Sequence, residues 1–338
     1  SSRPLACRTP GKLPRARQLY HRPLLHQDGG RRPILAAARR LQVKSAALPL
    51  VGTPGRGSLT FSDWPRKICP FLHFLVQSKA MSDRTLPPPV WVDAPAGFQA
   101  MLAHLAGEPA LAVDTESNSL YVYQERVCLI QISVPDVDYL IDPFALRDLS
   151  GLGPFLANPR VLKVLHGAEY DLTVLHRDYG FTLANLFDTM WASRILGWPA
   201  HGLGDLLQQQ FDVSLNKKYQ RANWGLRPLP SAQLDYARLD THYLLPLQQI
   251  QARELEATGR WPQAHHRFER MVQIRSESRD FDPEGFWRLP GVRDMDDVGR
   301  GVLRQLYLYR EERARLENRP PFRVISNRAL TSLAVCQL

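Results

Sequence analysis

Cysteine is scarce in these 338 residues: Cys7, Cys69, Cys128 and Cys336 stand far apart and form no CxxC pair. That spacing argues against a zinc knuckle or a disulfide framework and fits a reducing compartment. Long apolar runs are missing too. The longest candidate, ICPFLHFLV at 68–76, is broken by Pro70 and His73 and falls short of the ~18 residues a membrane span requires, so no transmembrane helix is expected. Acid is nearly absent from one end. The first 80 residues hold 15 Lys and Arg against Asp28 and Asp63 alone, whereas the rest of the chain holds 28 basic and 31 acidic residues. The formal charge of +10 therefore belongs to the N-terminal segment, and the remainder is not a generally basic body.

That segment, 1–80, is rich in Pro, Arg and Ser and contains turn pairs such as TPGRGS at 53–58. It reads as a disordered basic extension. Its GRGS is not a phosphate loop, because the GxxxxGK[ST] pattern is missing. Three origins fit: an organellar transit peptide, a nucleic-acid-binding tail, or a start site placed too far upstream. The last is the favoured reading, since Met81 opens MSDRTLPPPVWVD, where ordinary acid-base balance begins. The expected location is the cytoplasm, or an organelle if the extension is a true transit peptide.

What is present is a globular composition, 44% hydrophobic and 22% charged, long enough for about two domains. PAGFQAMLAHLAGEP places Phe98, Met101, Leu102 and Leu105 on one helical face before Gly107. ALAVDTE, VCLIQISV and DYLID follow as close strand runs, which predicts an antiparallel meander. VLKVLHGAEYDLTVLHRDYG reads as a strand over 161–165, then a helix sharing Ala168, Asp171, Leu172 and Leu175 on a face, with Gly180 past its end. A long helix is predicted from about Ser231 to Ala257. This order indicates an α/β domain with a mixed sheet.

Asp114 and Glu116 in LAVDTE stand two apart in a strand, so both project to one side of the sheet. Like charges so placed repel unless a cation sits between them. Asp171 lies on an otherwise apolar helix face, and Asp240 in YARLD follows Tyr236 by one turn, on the same face. Together the four carboxylates can form an oxygen-rich cage suited to hard divalent ions, Mg²⁺ or Mn²⁺. That combination points to two-metal phosphodiester chemistry.

The motifs VDTE, HGAEYD and YARLD, in this order and spacing, resemble the three exonuclease motifs of the DEDD superfamily, and RVCLIQIS resembles ribonuclease D in particular. Residues of about 90–270 carry the resemblance. A Tyr at 236, four before the last Asp, marks the tyrosine subtype. The resemblance implies a ribonuclease-H-like fold and two divalent metal ions held by Asp114, Glu116, Asp171 and Asp240. It assigns Tyr236 to the attacking water. The implied activity is 3′→5′ exoribonuclease action releasing nucleoside 5′-monophosphates, with tRNA precursors as the expected substrate. A DNA exonuclease and a non-catalytic RNA-binding scaffold on the same fold are the alternatives. Retention of all four acids and Tyr236 speaks against the scaffold, because clustered anions repel a polyanion.

For substrate contact the sequence offers His166 at the head of the second motif. It also offers the loop LNKKYQRANWGLRPLP at 215–230, where Lys217, Lys218, Arg221 and Arg227 interleave with Tyr219 and Trp224 as single-stranded nucleic acid requires. Asp188 in FDTM reads as a helix N-cap. The expected partner is single-stranded or 3′-overhanging RNA, with no membrane association and a monomeric state. Domain boundaries are placed at 88–270 for the exonuclease, 271–295 for a charged linker and 296–338 for a partial helical module. That module resembles the opening of a helicase-and-RNase-D C-terminal (HRDC) domain. In it Val302, Leu306, Tyr309 and Arg313 form a stripe, Pro320 and Pro321 end the helix, Asn327 caps a second, and Arg304, Arg310, Arg313 and Arg323 are offered to phosphate.

Overall fold

The computed structural model describes residues 86–275 and 280–336. The expectations for residues 1–80, the apolar stretch 68–76 included, lie outside them. In chain order the elements are β1 (Val90–Val92), α1 (Pro95–Leu105), β2 (Ala110–Ser117), β3 (Val127–Val134), β4 (Val137–Ile141), a single turn α2 (Gly153–Ala157), β5 (Leu162–Leu165), α3 (Glu169–Tyr179), β6 (Leu186–Asp188) and α4 (Thr189–Leu196). Then come α5 (Leu203–Phe211), α6 (Ser231–His242), α7 (Leu244–Ala257), α8 (Trp261–Met271), α9 (Asp297–Leu316), α10 (Pro321–Val324) and α11 (Asn327–Cys336). No helix among the described residues is long and apolar enough to cross a membrane.

Six strands form one mixed sheet in the order β1-β4-β3-β2-β5-β6. The meander is present: β2, β3 and β4 pair antiparallel, while β1, β5 and β6 join in parallel. Every residue of β3 is buried, as a continuous apolar run predicts for a strand covered on both faces. Phe98, Met101 and Leu105 of α1 pack into the main core with Leu111, Val113, Ile130 and Ile132. Gly180 ends α3 with φ 69°, a left-handed cap that glycine adopts without steric cost.

The long helix predicted over 231–257 is two helices. α6 stops at His242, and α7 begins at Leu244 after Tyr243. Pro246 in the first turn of α7 has no N–H to give the His242 carbonyl, and its ring would clash there, so a helix cannot run straight through.

The C-terminal helices gather around Leu303, Leu330 and Ala334, and they bury Phe286, Leu289, Val292 and Met295 from the stretch read as connector. The stripe on α9 also differs from expectation. Its buried residues are Gly299, Leu303, Arg310 and Ala314, while Tyr309 is 53% exposed. Arg310 is not offered to phosphate; its guanidinium donates to Asn327 Oδ1 at 2.7 Å and to the Ile325 carbonyl. Asn327 is thus an acceptor inside the module, and Ser326 Oγ caps α11 by accepting from the Ala329 amide.

Candidate active site

Strand β2 delivers the first two acids. Asp114 lies opposite Gln131 and Glu116 opposite Leu129 on β3, with a register shift just after Glu116. Helix α6 crosses the same strands and brings Asp240. One carboxylate oxygen from each of Asp114, Glu116 and Asp240 lies within 4.8 Å of the others.

Asp171 arrives from the first turn of α3. The chain turns from β5 into that helix at Gly167, whose φ of 74° excludes most side chains and where a Cβ would press on Met190 at 3.3 Å. Asp188, fully buried, sits beneath two helix starts: its carboxylate accepts the Ala168 amide at 2.7 Å and the Trp191 amide at 2.8 Å. It is the expected N-cap of α4 and also pins the turn that aims α3. The Asp171 carboxylate then accepts a 2.5 Å bond from Thr115 Oγ1, so the residue between Asp114 and Glu116 fixes the acid that faces them.

Burial, followed by the neighbouring Asp171, Asp240 and Glu116, holds the Asp114 carboxyl well above its ordinary range. Glu116 is raised by burial and then by Asp240 and Asp171. Burial also pushes Asp171 to about 7, although the Thr115 hydroxyl opposes it. Asp240 is pushed to about 8 by burial, opposed by a hydrogen bond from Tyr236. Such a group favours either protons or cations. The donor set is all carboxylate oxygen, which fits Mg²⁺ or Mn²⁺.

Tyr236 is buried against Tyr219 and Trp224, with ring centroids 5.8 and 6.3 Å away. Its hydroxyl interacts with Asp240 and with the Gln220 side chain. Burial and then the three acids Asp240, Glu116 and Asp114 raise its pKa above the ordinary tyrosine value, so it stays protonated. It is a hydrogen-bonding group rather than a base.

The remaining expected contacts divide. Lys217, Lys218 and Arg221 are exposed on a short helical turn. Trp224 is only 1% exposed; it backs Tyr236 and has no free face for a base. Arg227 holds Asp142 with two bonds of 2.7 and 2.8 Å, donates to the Trp224 and Cys128 carbonyls, and lies over the Phe144 ring. It ties the loop to the sheet, and none of this directs it to substrate. His166 is half-buried with Nδ1 2.9 Å from Thr189 Oγ1. Burial and then the Arg194 charge lower it to about 4, so it is neutral.

Sequence reading missed Thr115, which points away from the acids by strand alternation, and Gln220, one polar residue in a polar loop. It also missed the loop after β2. There Tyr121 donates to the Arg221 carbonyl at 2.6 Å and lies under the Arg323 guanidinium at 4.8 Å. In the same loop the Tyr123 amide donates to Asn318 Oδ1 and its hydroxyl to Glu311, so the C-terminal helices brace the edge of the site.

Comparison with known proteins places this geometry. Residues 89–256 match a family described as 3′-5′ exonuclease. The exosome complex exonuclease RRP6 of Saccharomyces cerevisiae is 33% identical over 273 residues, covering 76% of this chain and 37% of that protein. The exosome complex component 10 homolog of Caenorhabditis elegans is 35% identical over 73% of this chain and 29% of its own length. The chain thus spans about a third of these relatives. The catalytic core of RRP6 from Trypanosoma brucei superposes with a TM-score of 0.68 at 30% identity, covering 74% of this chain and 71% of that one. Escherichia coli RNase D, described as an exoribonuclease involved in structured RNA processing, gives 0.61 at 28% identity, with 74% and 67% covered. The expected ribonuclease-H-like fold with a mixed sheet is met. RNase D itself enters as a structural neighbour beside relatives of the RRP6 kind.

Proposed function

The chain belongs to the 3′-5′ exonuclease family of the RRP6 and RNase D type, and from that premise we propose that it is a divalent-metal-dependent exoribonuclease that removes nucleotides one at a time from RNA 3′ ends. The observation that carries the reading is the convergence of Asp114, Glu116 and Asp240 within 4.8 Å, with the buried Tyr236 one turn before Asp240 on α6. A binding scaffold gains nothing from such a group facing a polyanion.

Asp114, Glu116, Asp171 and Asp240 would hold two divalent ions. Bound there, the ions supply positive charge that neutralises the scissile phosphate and acidifies a water. Tyr236 keeps its proton, would donate a hydrogen bond to Asp240 and accept one from Gln220, which leaves one lone pair on its oxygen to accept from the attacking water. The water is thereby turned with its own lone pair toward phosphorus. An O–P bond forms, the P–O3′ bond breaks, the departing 3′-oxygen takes up a proton, and the water's proton leaves to solvent. The product is a nucleoside 5′-monophosphate.

Lys217, Lys218 and Arg221 supply the cations that draw in the backbone of a single-stranded or 3′-overhanging RNA. Trimming of structured RNA, tRNA precursors included, is the proposed task on the likeness to RNase D. The names of the RRP6 relatives, an exosome complex exonuclease among them, add an exosome complex as the proposed partner. The C-terminal helices are proposed as part of an HRDC-like module, and the cytoplasm as the location.

The test is release of a 3′-terminal labelled nucleotide from matched RNA and DNA single strands. Nucleoside 5′-monophosphate appearing faster from RNA is expected. Faster release from DNA would replace the substrate class, and intact strands under every metal condition would remove the enzyme reading.

A further inference from the structure

Gln131 lies in the middle of β3, is 0% exposed, and neither Nε2 nor Oε1 of its side chain has a hydrogen-bond partner. Leaving a buried amide group unpaired forfeits its hydration with nothing in return and destabilises the fold. A leucine would fill the same space without that penalty, so the question is what the amide serves.

Its surroundings narrow the answer. The residues sharing its strand face are Leu129 and Ser133. Leu129 is apolar, and the Ser133 hydroxyl is already committed, donating to Asp138 Oδ1 at 2.6 Å and lying 2.7 Å from Thr241 Oγ1. Across the sheet Gln131 is paired with Leu140 on β4 and Asp114 on β2. Directly opposed residues of an antiparallel pair have Cβ atoms about 4.5–5.5 Å apart on one face, within reach of a glutamine side chain. Among its strand neighbours Asp114 alone carries a carboxylate, whose acceptor capacity exceeds the one backbone hydrogen bond it takes from the Thr115 amide, and it stands at the edge of the acid group.

We propose that Gln131 is a positioning residue for Asp114: its amide N–H, through one bridging water, holds one oxygen of the Asp114 carboxylate and so aims the other at the cation site shared with Glu116 and Asp240. This rests on the metal-site reading above. The amide touches neither substrate nor cation; it acts by fixing a ligand's orientation, and groups of that kind typically alter metal affinity about 10–100-fold.

The experiment measures Mn²⁺ binding to the RNA-free full chain by calorimetry for wild type, Gln131→Leu and Gln131→Met, with thermal melts of each. The expected result is Mn²⁺ binding weakened about 10-fold or more in both variants. The metal concentration for half-maximal cleavage should rise in parallel, with kcat recovering at saturating Mn²⁺ and KM for RNA unmoved. In wild type the Gln131 side-chain amide signals in an ¹⁵N spectrum should shift on Mg²⁺ addition and in Asp114→Asn, a readout that survives if either substitution prevents folding. Gln131→Leu binding Mn²⁺ as tightly as wild type, or amide signals that stay fixed in both comparisons, would overturn the assignment while leaving the metal site in place. A wild type that binds no Mn²⁺ would overturn the metal-site reading and this proposal together.

Discussion

Asp240→Asn should make the metal-free protein more stable while destroying its activity. In the folded, cation-free chain burial and Asp171 keep the Asp240 carboxyl protonated up to about pH 8, whereas in the unfolded chain it ionises near pH ~3.9. Between those values the native state binds a proton that the unfolded state does not, so stability falls as pH rises from about 4 toward 8. Each tenfold change in that equilibrium is worth about 1.4 kcal/mol. Because Asp171 and Asp240 share one repulsion, a penalty of about 2–4 kcal/mol at neutral pH is the reasonable scale. Asparagine keeps the shape and still accepts from Tyr236, but it carries no charge. At about 2–4 °C per kcal/mol for a domain of this size, the variant should melt roughly 4–16 °C higher in EDTA at pH 7.5. Mg²⁺ should raise the wild-type melting temperature much more than the variant's. The assay is scanning calorimetry of both proteins with EDTA and with Mg²⁺, at pH 5 and pH 7.5, where the gap should shrink at the lower pH. An unchanged or lower melting temperature for Asp240→Asn in EDTA would refute the electrostatic argument.

Other consequences are equally direct. Tyr236→Phe should lower kcat about 100-fold or more, the scale of a lost proton-handling or water-orienting contact, with KM and melting temperature little changed; a steady-state titration of RNA checks it. Replacing Lys217, Lys218 and Arg221 together by alanine should raise KM, leave kcat intact and flatten the salt dependence of binding, as fluorescence anisotropy at several salt concentrations would show. Arg227→Ala should cost about 2–4 kcal/mol in urea unfolding, because it strands the nearly buried Asp142 carboxylate. Burial raises that carboxyl, but the Arg227 bonds and the Phe144 amide outweigh it and hold it below the ordinary range. The pair's contribution is therefore present above pH ~4 and lost as pH falls through the lowered value, so the deficit should vanish in strong acid.

The meander, the α3 and α4 caps and the residues of the acid group were readable because each is a local pattern: alternation in a strand, a glycine past a helix, a carboxylate pair two apart. The features that escaped depend on partners far along the chain. Pro246 is visible in the sequence, but the run of helix-forming residues around it hides the break at Tyr243. Trp224 reads as a stacking surface by its basic neighbours, yet its ring is taken by Tyr236, across a turn that composition does not encode. Arg227 is drawn to Asp142, 85 positions earlier, and the buried Arg310 to Asn327; in each case an acceptor distant in sequence claims a cation that sequence alone offers to phosphate. Thr115 shows the limit most clearly. Alternation assigns it to the opposite face from Asp114 and Glu116, and only the path of α3 brings the Asp171 carboxylate within its reach.

The central claim is a metal-dependent exonuclease built on Asp114, Glu116, Asp171 and Asp240. Its most direct test is cleavage of 5′-labelled single-stranded RNA by the purified chain in Mg²⁺, Mn²⁺ or EDTA, with Asp240→Asn alongside. A ladder shortening from the 3′ end with either metal, absent in EDTA and in the variant, is the predicted result. Cleavage that persists in EDTA, or RNA binding without cleavage by a folded protein in both metals, would contradict it.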